Sequence, residues 1–140
     1  VQALIKNLLP YATLVTPNLA EAELLSGIWI RDIPGMEKAA KRIYRLGPEA
    51  VLVKGGHLKN SACDLLYDGK RVTLLDAARV KSRHTHGTGC AYSAAITARI
   101  ARGESLLAAI RASKKFITRA IRTAPGIGHG FGPVNHFAKA

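Results

Sequence analysis

The stretch His84-Thr85-His86-Gly87-Thr88-Gly89-Cys90, running on as Ala91-Tyr92-Ser93-Ala94-Ala95-Ile96, decides how this chain is read. It is a Gly-Thr-Gly turn that opens a helix of small residues and carries a thiol in its first turn. Backbone N–H groups at a helix start have no partner inside the helix. The helix dipole adds partial positive charge there. Glycine lets a ligand approach the backbone with no Cβ in the way. The pattern predicts an anion site with a polarised cysteine beside it. For a bare Gly-x-Gly-Cys, a plain glycine turn with an ordinary buried cysteine on the helix behind it is the better reading.

On the C-terminal side, the helix after Cys90 is expected to run to about Arg102, with Gly103 past its end. Ser105 is expected to cap a last long helix with Leu106, Ile110, Ser113, Ile117 and Ile121 facing inward. Arg111, Lys115, Arg119 and Arg122 fall on the opposite, solvated face. Pro125-Gly126 closes that helix, and 126–137, rich in Gly and His, reads as loop.

On the N-terminal side, Val1 to Leu9 reads as a helix with Leu4, Ile5, Leu8 and Leu9 on one face, ended by Pro10. Ala12 to Thr16 and Ala50 to Val53 read as short buried strands. Between them, Asn18 starts a helix with Gly27 as its C-cap, and Met36 to Leu46 is a second, amphipathic helix. Asp64 to Tyr67 and Arg71 to Leu75 flank Asp68-Gly69, a hairpin turn signal. Helices alternating with short apolar strands imply an α/β fold. Two parallel-type strands are too few for a complete doubly wound sheet, so part of a larger fold is expected.

The chain has 140 residues, 48% of them hydrophobic, enough for a packed core. No apolar run approaches the roughly 18 residues that span a bilayer. Two cysteines, Cys63 and Cys90, do not make a disulfide scaffold, and a reduced, cytoplasmic protein is expected. Position 1 is Val and no signal-peptide pattern follows, so the chain is expected to begin partway through a gene product. The net charge is +12, from 21 Lys+Arg against 9 Asp+Glu. Such a balance suits nucleic acid or phosphates. The charges are scattered, with no basic tail and little aromatic interleaving, which ranks phosphate above nucleic acid.

Two further motifs carry possible chemistry. In Thr16-Pro17-Asn18-Leu19-Ala20-Glu21, Asn18 and Glu21 have the spacing of a capping box. In Lys54-Gly55-Gly56-His57-Leu58, a lysine leaves the end of a buried strand, where α/β folds bind ligands. Taken alone, that segment reads better as a strand-ending turn with a solvated lysine. His84 and His86 lack further ligands at suitable spacing, so zinc is not expected. Cys63 is expected to be a small buried or hairpin-edge residue. Trp29 and Tyr44 are expected to pack.

Thr-Pro-Asn-x-x-Glu-Ala, Lys-Gly-Gly-His-Leu, His-Gly-Thr-Gly-Cys and Gly-His-Gly-x-Gly-Pro-Val-x-His follow one another from about Leu9 to His136. In that order they resemble the hydroxymethylpyrimidine and phosphomethylpyrimidine kinases of thiamin biosynthesis, a branch of the ribokinase superfamily with Cys where most members have Asp. The residues flanking the turn lengthen the match and favour function over a plain glycine turn. After Cys90 the family often has Thr-Leu where this chain has Ala91-Tyr92.

The resemblance covers the C-terminal half of a three-layer α/β/α kinase domain, with residues 1–140 as one portion of it. It implies transfer of the γ-phosphoryl of ATP, with Mg²⁺, to 4-amino-5-hydroxymethyl-2-methylpyrimidine or its monophosphate. It implies that Gly87, Thr88 and Gly89 hold the transferring phosphate, and that Cys90 holds or deprotonates the acceptor. Lys54, with Gly55 and Gly56, would meet the nucleotide phosphates, and Asn18 and Glu21 would order Mg²⁺ through water. It further implies a small-molecule substrate, no nucleic acid or membrane partner, and a homodimer. A pyridoxine-type kinase and a non-catalytic pyrimidine sensor are the alternatives.

Overall fold

The computed structural model of the chain describes residues 1–55 and 62–139. It resolves into two compact units, Val1–Asp76 and Ala77–Ala140.

In the first unit, helix α1 (Gln2–Asn7) runs into a 3-10 turn over Leu9–Tyr11, with Pro10 inside the turn. Only Leu9 of the expected apolar face is buried, while Leu4 and Leu8 stay exposed. The segment 12–16, expected as a buried strand, forms instead with Pro17 a mostly half-buried parallel edge. Its bonds to the next strand run from Glu49 N to Ala12 O, Val15 N to Ala50 O, Leu52 N to Val15 O and Lys54 N to Pro17 O, at 2.8–3.1 Å. Proline has no N–H, so Pro17 joins this ladder through its carbonyl alone.

Helix α2 (Leu19–Ser26) begins at Asn18 with a complete capping box and ends on Gly27, whose φ of 68° is left-handed. Helix α3 spans Ile33–Tyr44, starting a turn earlier than Met36. In the structure Asp32 caps the helix by accepting from Gly35 N at 2.8 Å, and proline is tolerated in a first turn, where its missing N–H has no helical partner.

Strands β1 (Val51–Val53), β2 (Asp64–Tyr67) and β3 (Val72–Leu75) form an antiparallel meander in that order. Register pairs Leu52 with Leu66 and Leu65 with Leu74. β1 therefore has a parallel neighbour on one side and an antiparallel one on the other, so the antiparallel element expected at the Asp68-Gly69 hairpin extends to β1, which was expected as a parallel-type strand. Ala22, Ile30, Met36, Ala39, Ala40, Ile43, Val51, Val53 and Leu65 form one core. Tyr44 of α3 meets Tyr67 edge-on at 5.2 Å, and Tyr67 Oη donates to Gly69 O at the hairpin turn. Trp29, expected to pack, is 82% exposed. Its neighbours Ile28 and Ile30 take the core positions, and Ile30 N is held by Glu23 Oε1 at 2.8 Å.

In the second unit, α4 (Thr88–Ala101) packs on α5 (Leu106–Arg122). The inward stripe of α5 is Ala109, Ile110, Ser113, Ile117 and Ala120, while Leu106 and Ile121 are only half-buried. Ser105 stands at the N-cap, but its hydroxyl makes no capping bond. Arg111, Lys115, Arg119 and Arg122 are exposed as expected. Among the described residues no helix is long and apolar enough to cross a membrane.

Candidate active site

Gly87 is the N-cap of α4, with φ 80° and ψ 0°. Nothing lies within 4 Å of where its Cβ would be, so handedness alone asks for glycine here. The N–H and the hydroxyl of Thr88 both donate to Thr85 O, at 3.2 and 2.7 Å. Helical bonding begins with Ala91 N to Gly87 O at 2.9 Å. The amides of Gly89 and Cys90 lie between these and point out of the helix start. No acidic side chain stands in the first turn of α4, and Cys90 is exposed. Two outward amides at the positive end of a 14-residue helix fit a phosphate group. Thr88 shapes this turn, its donors being committed to Thr85.

The tail 126–137 is loop, and it supports the turn. His86 N donates to Gly132 O at 3.1 Å, and Val134 N donates to His86 O at 3.3 Å. This pairing joins residues far apart in sequence, and no local signal announced it. His84 is half-buried beside Gly132 and accepts from Arg83 Nε at 3.4 Å.

The first unit holds the other expected site residues. Asn18 Oδ1 accepts from Glu21 N at 2.9 Å, and Glu21 Oε2 accepts from Asn18 N at 2.7 Å. Each side chain thus serves the helix start, and Glu21 Oε1 is left over for a water. Among the described residues no three His, Cys, Asp or Glu side chains gather to hold a metal directly. The donor set therefore fits Mg²⁺ only through its water shell, as Mg²⁺ commonly binds.

Half-buried Lys54 is bridged to Asn18 through the parallel ladder, which brings the lysine and the capping box to one end of β1. Gly55 packs so closely on Cys63 O that a Cβ would overlap that carbonyl. Its N–H donates to Oδ1 of the buried Asp64 at 3.0 Å. This glycine is required by the chain's own backbone, and Asp64, read in sequence only as a hairpin residue, is its anchor. Gly56, with the His57-Leu58 that follows, lies outside the described residues. Cys63 is buried beneath, and burial, then its hydrogen bond with Asp76, lifts its thiol from 9.0 to about 11.

The sequence profile of the phosphomethylpyrimidine kinase family matches residues 1–135. The chain belongs to that family. A hydroxymethylpyrimidine/phosphomethylpyrimidine kinase of Rhizobium meliloti is 50% identical over 98% of this chain and 53% of its own length. The pyridoxal kinase of Staphylococcus aureus, solved with AMP-PCP and pyridoxal, superposes with a TM-score of 0.94 at 41% identity, covering 98% of this chain and 53% of that one. The phosphomethylpyrimidine kinase of Clostridium difficile gives a TM-score of 0.72 at 38% identity, over 86% of this chain and 48% of the other. The fold is thus the α/β fold of ribokinase-like kinases. The chain spans about half the length of most of these family relatives.

Proposed function

We propose that the protein carrying this chain transfers the γ-phosphoryl of ATP to 4-amino-5-hydroxymethyl-2-methylpyrimidine or its monophosphate. The observation that carries this reading is the pair of outward amides, Gly89 and Cys90, behind a left-handed Gly87, in a chain of this family. Preorganised backbone dipoles stabilise charge on a phosphoryl group in flight without reorganising. The acceptor oxygen forms a bond to the γ-phosphorus, the bond from that phosphorus to the ADP oxygen breaks, and the acceptor proton passes to Cys90 Sγ. Gly87 and Thr88 set the turn, and Lys54 balances phosphate charge, with the Gly55-Gly56 that follows it in sequence assigned to the nucleotide phosphates. Asn18 and Glu21 order water around Mg²⁺, which supplies charge neutralisation when bound. Residues 1–140 would be the C-terminal portion of one ribokinase-like domain, weak or inert in isolation. A cytoplasmic homodimer completes the proposal.

One observation favours a second reading. The superposition on a pyridoxal kinase, at a TM-score of 0.94, is tighter than that on the Clostridium difficile pyrimidine kinase, at 0.72. The natural protein given Mg-ATP with hydroxymethylpyrimidine, its monophosphate or pyridoxal separates the two. Phosphorylated pyrimidine by mass supports the first reading, and product from pyridoxal alone replaces it. ATP binding without any product would mean a sensor.

A further inference from the structure

We propose that Asn135 and Thr123 are positioning residues for the anion turn, acting through a strap formed by Gly132 to Asn135. This rests on the reading of Gly87 to Cys90 as a phosphate site.

Thr123 lies just past the end of α5, where its hydroxyl donates to Arg119 O at 2.9 Å. That commits its only proton, so its lone pairs are free for a donor. Asn135 Nδ2 supplies the donor at 3.1 Å, and Asn135 N donates to Ala120 O at 3.0 Å. The Asn135 side chain also accepts from Phe137 N at 3.0 Å. Asn135 is thereby tied to α5 by backbone and side chain together.

Next to it, Val134 is 2% exposed and donates to His86 O, while Gly132 O accepts from His86 N. Gly132 has no room for a side chain. A Cβ there would meet the His84 ring and lie 2.8 Å from Ile127 O. His86 immediately precedes Gly87, the N-cap of α4. The strap therefore links the end of α5 to the residue that sets where the first turn of α4 faces. Neither Asn135 nor Thr123 belongs to the turn itself. Their bond fixes the amides of Gly89 and Cys90 only through the intervening backbone. A preorganised site loses most of its advantage when its donors are misplaced by a fraction of an ångström.

The test uses Cys90 as reporter in the natural protein. The protein is treated with iodoacetamide, and alkylation is followed by mass at Cys90, with buried Cys63 as internal reference. Inorganic phosphate is the probe, titrated to find the concentration that halves the Cys90 rate. In the unaltered protein phosphate protects Cys90. Asn135→Ala and Thr123→Val are each expected to raise the half-protecting concentration about tenfold, and the double variant no further than the weaker single. Thr123→Ser, which keeps the hydroxyl, retains the unaltered value. Thr123→Val is the milder change should Asn135→Ala fail to fold.

Unaltered protection in both single variants, even with a lowered melting temperature, overturns the strap and leaves the phosphate site standing. Additive losses in the double variant also overturn it, since the two residues would then act separately. No protection in the unaltered protein removes the phosphate site, and this proposal with it.

Discussion

Cys90 and Cys63 show how one residue type serves two ends. Cys90 is exposed at the third position of α4, next to amides that point outward. If it takes the acceptor proton, Cys90→Ala lowers kcat by about a hundredfold or more and leaves the ATP dissociation constant within about twofold. Steady-state kinetics beside calorimetric titration checks both, and unchanged turnover excludes the role. Cys63 is buried, and burial favours its neutral form in the folded state. The proton is then held more tightly folded than unfolded, so stability is full below about pH 9 and falls as pH climbs toward 11. Melting curves across that window are expected to slope down for the unaltered chain and to flatten for Cys63→Ala.

Two glycines make a similar contrast. Gly87→Ala meets open space and is expected to cost about 1 kcal/mol, through backbone handedness alone. Gly55→Ala drives a methyl into Cys63 O and is expected to cost about 3 kcal/mol. Chemical denaturation measures the difference. Sequence reading assigned both glycines to ligand approach, because identity alone does not separate a left-handed turn from a tight backbone contact.

Among the elements, α2 was the most legible, since a capping box and a C-terminal glycine act within a turn of the residues that display them. The β2–β3 hairpin was legible for the same reason, with Asp68 accepting from Lys70 N and Arg71 N around the expected turn. The start of α3 was not: Asp32 caps the helix at Ile33, three residues ahead of Met36, where it was expected to begin. Asn18→Ala is expected to destabilise the fold by about 1 kcal/mol. Glu21→Gln keeps an acceptor for Asn18 N, so stability holds within about 0.5 kcal/mol. A rise in the Mg²⁺ concentration needed for half-maximal rate in that variant, measured with melting as control, would assign Glu21 a part beyond the helix start. No rise would confine it there.

At the scale of the whole molecule, the sequence displayed the α/β class and the order of motifs. It did not display what depends on distant partners. Val15 meets Val51 and His86 meets Pro133 across long stretches of chain, and no periodicity encodes such pairings. The charge is also less evenly spread than its sign changes suggest. Beyond Asp76 the only acid is Glu104, and Arg99 holds it at 2.8 Å. The second unit thus carries most of the positive excess, and with it the turn from Gly87 to Cys90. A field of this kind speeds encounter with phosphorylated substrates and is screened by salt. If the pyrimidine monophosphate is the acceptor, kcat/KM for it is expected to fall about tenfold as KCl rises from about 10 mM to about 150 mM, with kcat unchanged. A flat profile would remove electrostatic steering from the account.

The parallel ladder between segment 12–17 and β1 has a kinetic consequence. Its two sides are separated by all of α2 and α3, so closing it costs more chain entropy than forming the β2–β3 hairpin or docking α5 on α4. Refolding from denaturant should therefore begin with these local pairings, and Val15 and Leu52 amides should gain protection from exchange last. On the ribosome segment 12–17 emerges before β1, so it waits unpaired until the strand it borders has been made.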